Sequence, residues 1–166
     1  EAGEALPGHY VELDISPDGK QLAYRRVPGG WVTDPAHSHQ PGIFTAALDL
    51  GETNAPWRPV RVDRGGGVDP HFADRSDRVY FLERKQTLTK DPRTLVSTRL
   101  DGTKKREHAK TEAGVRMRIS PDGRHIAWSE RHRTWLAPWV ETGKPVQLGP
   151  GKGGVPVVQL SRWSGF

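Results

Sequence analysis

The sequence predicts an all-β fold built from repeated four-stranded antiparallel units, and three observations lead to that prediction. A ten-residue stretch recurs three times along the 166-residue chain without gaps. Nineteen glycines and fourteen prolines, about a fifth of the residues, disfavour long helices. No window of about 11 to 18 residues holds an apolar period near 3.6, which an amphipathic helix would require.

The first strand pair of each unit is a hairpin around a tight polar turn. Its three copies are Ile15–Tyr24, Phe72–Phe81 and Ile119–Trp128, and each follows a run of alternating apolar residues. In the first and third copies the turn reads Ser-Pro-Asp-Gly. Proline presets φ, aspartate bonds the local backbone and glycine accepts a positive φ. The middle copy keeps only the degenerate polar turn 74–77.

A second strand pair follows each hairpin. The third strands are predicted at Ile43–Leu50, Leu95–Leu100 and Trp135–Val140, and the fourth at Trp57–Val62, Lys105–Ala109 and Pro145–Leu148. Successive units begin 57 and then 47 residues apart, counted from the first residue of each repeat. Four strands at this spacing are typical of a β-propeller blade.

The predicted organisation is a partial propeller of about three blades and the start of a fourth. Residues 1–8 form an N-terminal tail, and residues 9–66 form blade 1 with a loop insertion at 28–41. Blade 2 covers 67–112, and blade 3 covers 113–150. Residues 151–166 are the linker to the next blade and its beginning.

Composition excludes several classes of protein and site. The chain has no cysteine, which excludes a disulfide scaffold, a zinc–thiolate site and a cysteine nucleophile. It has no apolar run near the roughly 18 residues of a membrane-spanning helix. Residues 1–60 carry 8 acids and 4 bases, whereas residues 61–166 carry 12 acids and 21 bases. We expect these bases on exposed strand and turn positions and expect no nucleic-acid partner.

The repeats at Ile15–Tyr24 and Ile119–Trp128 resemble the WD-like repeat of TolB-type β-propellers, and Phe72–Phe81 resembles it more distantly. The resemblance covers roughly residues 9–150 and implies a propeller, usually of six blades. Such propellers precede amidohydrolase domains, and the tail at 156–166 resembles that arrangement in secreted bacterial amidohydrolases. The resemblance therefore implies a non-catalytic access or docking module of an exported hydrolase whose catalytic domain holds a divalent metal. A stand-alone TolB-like periplasmic interaction protein is the alternative.

Few residues are candidates for chemistry. His37 and His39 stand at i and i+2, so on an extended segment both imidazoles point the same way and can share a metal ion. An exposed Pro- and Gly-rich loop is the alternative interpretation. The glycine clusters at 65–67 and 151–154 lack phosphate-loop spacing and are interpreted as linkers. We predict no catalytic residue and no cofactor site in this segment.

Three blades are too few to close a ring, so the predicted stack is open at both ends. An open stack leaves two apolar sheet faces uncovered, a predicted site for the remaining blades, a downstream catalytic domain or a second copy. We expect Trp128, Trp135 and Trp139 in the core between blades. The expected location is the periplasm or the outside of the cell after removal of a signal peptide, with the cytoplasm as the alternative.

Overall fold

A computed structural model describes residues 9–28, 40–48, 58–64, 66–84 and 92–161. Within these ranges the chain forms thirteen β-strands and no helix, so the predicted all-β class is confirmed. No helix in the described part of the chain is long and apolar enough to cross a membrane.

The strands form three sheets that follow one another along the chain. The first sheet contains β1 (His9–Ile15), β2 (Gln21–Val27), β3 (Gly42–Ala47) and β4 (Val60–Asp63), paired antiparallel in that order. The second contains β5 (Val68–His71), β6 (Arg78–Arg84), β7 (Arg93–Arg99) and β8 (Arg106–Thr111), also antiparallel in order. The third is built on β9 (Gly114–Ile119), β10 (His125–Glu130) and β11 (Arg133–Pro138). Two short strands, β12 (Val146–Gln147) and β13 (Val158–Gln159), complete the set.

The Ser-Pro-Asp-Gly turns fold as their chemistry predicts. Between β1 and β2, the amide of Gly19 donates to the carbonyl of Ser16 at 2.8 Å, and Gly19 has a φ of 72°. The Oδ1 atom of Asp18 accepts from the Ser16 hydroxyl at 2.6 Å and from the Lys20 amide at 3.1 Å. The turn between β9 and β10 repeats this pattern with Gly123 at a φ of 68°. The hairpin prediction is therefore confirmed at both turns.

The two short strands correct the strand assignment at the end of the third blade. The segment predicted as its fourth strand, Pro145–Leu148, contains β12, which instead pairs parallel with β8 at the outer edge of the second sheet. The fourth strand of the third sheet is β13, which pairs antiparallel with β11. Residues 151–166, which the sequence predicts as the linker and the beginning of the next blade, therefore contain a strand of the third sheet. A two-residue strand carries no periodic signal, so tertiary contacts choose its partner.

The second sheet is the middle layer and is buried on both faces. Successive strand residues point to opposite faces, and β6 is apolar at four consecutive positions, 79–82. Its odd residues, Val79 and Phe81, pack with Ile43 of the first sheet. Its even residues, Tyr80 and Leu82, pack in the core that faces the third sheet. Because both faces of β6 are buried, these consecutive residues of the strand are all apolar.

The tryptophans of the third sheet lie where the sequence predicted. Trp128 and Trp135 are buried in the core between the second and third sheets, with ring centroids 6.4 Å apart. Trp139 packs against the same core as a partly buried residue. Aromatic side chains contribute most to such cores because each buries a large apolar area.

The outermost faces of the stack expose apolar side chains. On the first sheet, Leu13 is 61% exposed and Ile15 58%. On the third, Val158 is 60% exposed and Leu160 56%. Since β13 pairs with β11, these last two side chains extend the face opposite the tryptophans. The open faces are those of an incomplete stack of blades, as predicted.

Candidate binding cleft

One position of the repeat brings three polar residues from the three sheets to a common cleft. Asp14, His71 and Arg118 each stand one residue before the first residue of a repeat, near the ends of β1, β5 and β9. They line a cleft of about 440 Å³. We call β1, β5 and β9, the first strands of the three sheets, the inner strands. Because the inner strands end at the same side of the stack, equivalent sequence positions meet there. The sequence reasoning missed this cleft, although the repeat alignment already contained the signal.

The backbone is irregular at two carboxylate residues of the inner strands, one in β1 and one in β5. Glu12 and Asp69 occupy equivalent repeat positions, and both have a φ of 56°, which is uncommon for residues other than glycine. The pairing of their strands shifts register at the same places, as in a β-bulge. Bulges re-aim side chains, and they do so next to functional sites more often than elsewhere. The equivalent residue of the third sheet, Arg116, lacks the positive φ.

These carboxylates join each sheet to the next. The carboxylate of Glu12 accepts from the Asp69 amide at 2.8 Å, and Asp14 accepts from the Phe72 amide at 2.7 Å. Asp69 in turn accepts from the Arg118 guanidinium at 2.6 Å. Two of these carboxylate contacts link the first and second sheets, and one links the second and third. The inner strands are held in place by hydrogen bonds as well as by the apolar cores.

His71 is the most buried polar group of the cleft, at 1% exposure. Its Nδ1 atom lies 3.0 Å from the carbonyl oxygen of Asp69, which only accepts, so Nδ1 carries the proton and donates. Burial, reinforced by the nearby positive charge of Arg118, lowers the pKa of His71 below its usual value. At neutral pH the ring is therefore uncharged, and Nε2 is a hydrogen-bond acceptor that has no partner among the described residues.

The rest of the cleft is largely apolar. The side chains that contribute this surface include Phe72, Ala73, Ile119 and Leu136. Ser120 and His125, at the turn between β9 and β10, stand at its edge. A concave apolar surface with a few placed polar groups is typical of ligand-binding clefts.

A second polar cluster has the order of atoms seen in a catalytic triad. The hydroxyl of Ser97 lies 2.7 Å from Nε2 of His108, and Nδ1 of His108 lies 3.5 Å from a carboxylate oxygen of Glu141. Burial lowers the pKa of His108 to about 4, despite the opposing effect of Glu141, so the ring is neutral at pH 7. His108 and Glu141 line a further cleft of about 540 Å³.

Ser97 is nevertheless arranged as a structural group. Its side chain is 0% exposed, and its hydroxyl oxygen accepts from Arg78 Nε at 3.1 Å and from Arg78 Nη2 at 2.9 Å. With both lone pairs used, the hydroxyl donates its proton to Nε2 of His108, whose Nδ1 faces the Glu141 carboxylate at 3.5 Å. The cluster is a directed chain of hydrogen bonds that ties β6, β7 and β8 to the segment after β11. No substrate atom can approach such an oxygen.

A series of ring contacts connects the two clusters. Tyr80 lies between the histidines, with its ring centroid 5.9 Å from that of His71 and 5.2 Å from that of His108. Trp139 continues the column at 5.9 Å from His108. Burial raises the pKa of Tyr80 to about 12, so its hydroxyl stays protonated. These rings form a continuous column of contacts from His71 at the cleft to Trp139.

The structure does not test the metal candidates named from sequence. His37 and His39 lie outside the described residues, so the metal-pair hypothesis stays a prediction. In the described part of the chain, no three His, Asp or Glu side chains come together as a metal site would require. Of the basic residues, Lys105 forms an ion pair with Glu83, and Arg131 lies 3.3 Å from Glu112. These ion pairs give two of the basic residues a structural partner on the protein surface.

Comparisons with known proteins identify the architecture. No protein-family profile matches the sequence, and no curated protein matches it either. Among solved structures, the chain is similar to the β-propeller domain of the Trilobed protease from Pyrococcus furiosus, which is described as having an open velcro topology. The TM-score is 0.53 at 9% identity, over 93% of this chain and 43% of that one. This similarity establishes the β-propeller fold, and the chain spans less than half the length of that domain.

Proposed function

We propose that this chain is the propeller module of a larger exported bacterial hydrolase of the amidohydrolase type. In that role it governs substrate access or docking, and bond cleavage takes place elsewhere in the parent protein. The remaining blades and a downstream catalytic domain, which holds any divalent metal, are its partners. The module itself carries no cofactor, and its polar groups serve binding.

The cleft at the ends of β1, β5 and β9 is the observation that carries this proposal. It combines an apolar surface with Asp14, His71 and Arg118, which suits recognition of a ligand. By contrast, the one serine–histidine–carboxylate chain among the described residues is buried around Ser97. The Arg118 side chain is 46% exposed at the cleft, whereas the potential nucleophile Ser97 is 0% exposed, which favours a docking module over a hydrolytic site in this segment.

The solved propeller supports the hydrolase part of the proposal by analogy. That domain belongs to a protease, and this chain matches less than half of it. A propeller attached to a hydrolase can act as a gate, because substrates must pass its inner strands. Propeller folds also serve many other tasks, so the experiment must separate access from chemistry.

The experiment uses the product of the complete coding sequence and compares large with small amide substrates. Ala127 lines the cleft, so an Ala127→Trp substitution narrows it. We expect this change to slow cleavage of a large peptide while leaving a small chromogenic amide unaffected. Val115, an exposed apolar residue outside the cleft, provides the matched control Val115→Trp, which should alter neither reaction.

Four outcomes would contradict the proposal. Equal loss with both substrates would place the cleft in the catalytic machinery, and no loss with either would remove it from the access route. Absence of amide hydrolysis by the complete protein would favour the stand-alone periplasmic interaction protein. Cell fractionation tests the location, since recovery in the cytoplasm would contradict export.

A further inference from the structure

A single position of the repeat connects each sheet to the one that follows it. Its residues stand three positions before the start of a repeat, and they are Glu12, Asp69 and Arg116. The Glu12 carboxylate accepts from the Asp69 amide at 2.8 Å, across the junction of the first and second sheets. Asp69 in turn accepts from Arg118 at 2.6 Å, across the junction of the second and third sheets. The side chain at this position therefore contacts the inner strand of the following sheet.

Arg116 holds this position on the third sheet, which no further sheet follows in the described part of the chain. Its neighbour Met117 packs in the core toward the second sheet, so Arg116 points to the open face. The Arg116 side chain is exposed and makes neither a hydrogen bond nor an ion pair with another described residue. The same open face carries the exposed apolar residues Val158 and Leu160. A surface that continues the stack must therefore bring apolar side chains and a carboxylate for Arg116.

The first sheet of the same chain offers that combination on its own inner strand. Leu13 and Ile15 are exposed apolar residues, and the partly exposed Asp14 stands between them. Within the described ranges, only the Oδ2 atom of Asp14 accepts a hydrogen bond, from the Phe72 amide. The Oδ1 atom of Asp14 thus remains open to a donor from a neighbouring sheet.

We propose that a second copy of this chain packs its first sheet on the open face of the third sheet, with Asp14 of the second copy bound to Arg116. The pair would repeat the Asp69–Arg118 contact with the two charges exchanged. It uses the same two repeat positions and again joins one aspartate to one arginine, so the combined length of the side chains is unchanged. Opposite charges across an interface select the partner and its orientation.

Two copies provide the number of sheets that a closed ring requires. Each chain contributes three sheets, so two copies give six, within the roughly four to eight blades of propellers, whereas three copies would give nine. In a ring with a twofold axis, the third sheet of each copy meets the first sheet of the other. Both open faces are then covered, and their exposed apolar side chains are removed from water.

This inference deepens the proposed function, because it names a second copy as the source of the remaining blades. It rests on that function only in the need of an open stack for further blades. Association and hydrolysis are measured separately, so the two can fail separately. Loss of amide hydrolysis in the complete protein would leave the dimer intact, and a monomeric chain would leave the gating proposal open to its own test.

The experiment measures the mass of the 166-residue chain in solution by sedimentation equilibrium over a range of concentrations. We expect a monomer–dimer equilibrium that ends at twice the chain mass of 18.5 kDa. Arg116→Gln removes the charge of the open face. Asp14→Asn removes the opposite charge and keeps an acceptor for the Phe72 amide, so the contact with the second sheet survives. Because the pair occurs twice in the ring, each substitution should raise the dissociation constant of the dimer about tenfold.

A double-mutant cycle and a control separate this pair from surface charge in general. The variant that combines Arg116→Gln with Asp14→Asn should associate no more weakly than either single variant, because one change already breaks the pair. Arg99 is an exposed arginine at the end of β7, in the middle sheet, which is covered on both faces. Arg99→Gln should therefore leave the dissociation constant unchanged.

Three results would overturn the inference. A mass of one chain at every concentration would leave the open faces to further blades of the same polypeptide. Growth beyond two copies would contradict a closed ring, which has no face left for a third. Equal effects of Arg116→Gln and Arg99→Gln, or additive effects in the cycle, would show that Arg116 and Asp14 do not meet. The first two results come from the unmodified protein and do not depend on how well a substitution folds.

Discussion

Replacing Ser97 by alanine removes the centre of the hydrogen-bond chain on the second sheet. The Ser97 hydroxyl has three partners: Nε and Nη2 of Arg78 and Nε2 of His108. Arg78 Nη2 keeps the carbonyl oxygens of Ser97 and Lys104 after the change. Arg78 Nε and His108 Nε2 lose the partners that they have in the structure.

The magnitude follows from those two orphaned atoms. Each buried polar atom without a partner costs about 1–3 kcal/mol, so Ser97→Ala should lower the free energy of unfolding by about 2–6 kcal/mol. The loss of stability comes mainly from the two buried nitrogen atoms that are left without a hydrogen-bond partner. The hydroxyl itself occupies little volume, and the cavity left by one oxygen is small.

Urea denaturation at pH 7 measures the effect, and the adjacent residue supplies the control. Thr98 Oγ1 is also buried but has no hydrogen-bond partner among the described residues. Thr98→Val should therefore leave the free energy of unfolding unchanged within about 0.5 kcal/mol or raise it. Equal effects of the two substitutions would refute the reasoning, because the hydrogen-bond chain would then add nothing to stability.

Further predictions concern pH, backbone and surface. Since burial lowers the pKa of His108 from 6.5 to about 4, the unfolded chain binds more protons in that interval. The free energy of unfolding should fall by up to about 3 kcal/mol as pH drops from 6.5 to 4, and His108→Asn should flatten this slope in urea titrations. Gly42 and Gly19 both have positive φ, but only at Gly42 would a Cβ overlap the Asp63 carbonyl. Gly19→Ala should cost about 1 kcal/mol and Gly42→Ala at least about 2 kcal/mol more by the same assay; equal costs would contradict the close approach. Leu160→Glu should reduce concentration-dependent association measured by light scattering, and an unchanged mass distribution would exclude that face from self-association.

Local chemistry made much of the fold predictable from sequence. The Ser-Pro-Asp-Gly turns set their own geometry, because Asp18 and Asp122 bond the amides two residues on and the glycines accept a positive φ. The continuous apolar run 79–82 reflects burial on both faces of β6. Trp128 and Trp135 are large enough that few positions other than an inter-sheet core accommodate them.

Non-local contacts limited the prediction elsewhere. The strands β12 and β13 have two residues each, so neither has a period that identifies its sheet. Ser97, His108 and Glu141 come together only when the segment after β11 returns to the second sheet. The cleft differs, because Asp14, His71 and Arg118 share one repeat position. Comparing the polar residues at each repeat position would have found them.

Labelling with a fluorophosphonate most directly tests whether this segment binds rather than cleaves. The reagent forms a covalent adduct with a serine hydroxyl that a histidine activates, and mass spectrometry of the intact protein detects it. Ser97 is buried and its oxygen is engaged by Arg78, so we expect an unchanged mass at neutral pH. An adduct mapped to Ser97 would contradict the account, because it would show an accessible nucleophile where the structure has a closed hydrogen-bond chain.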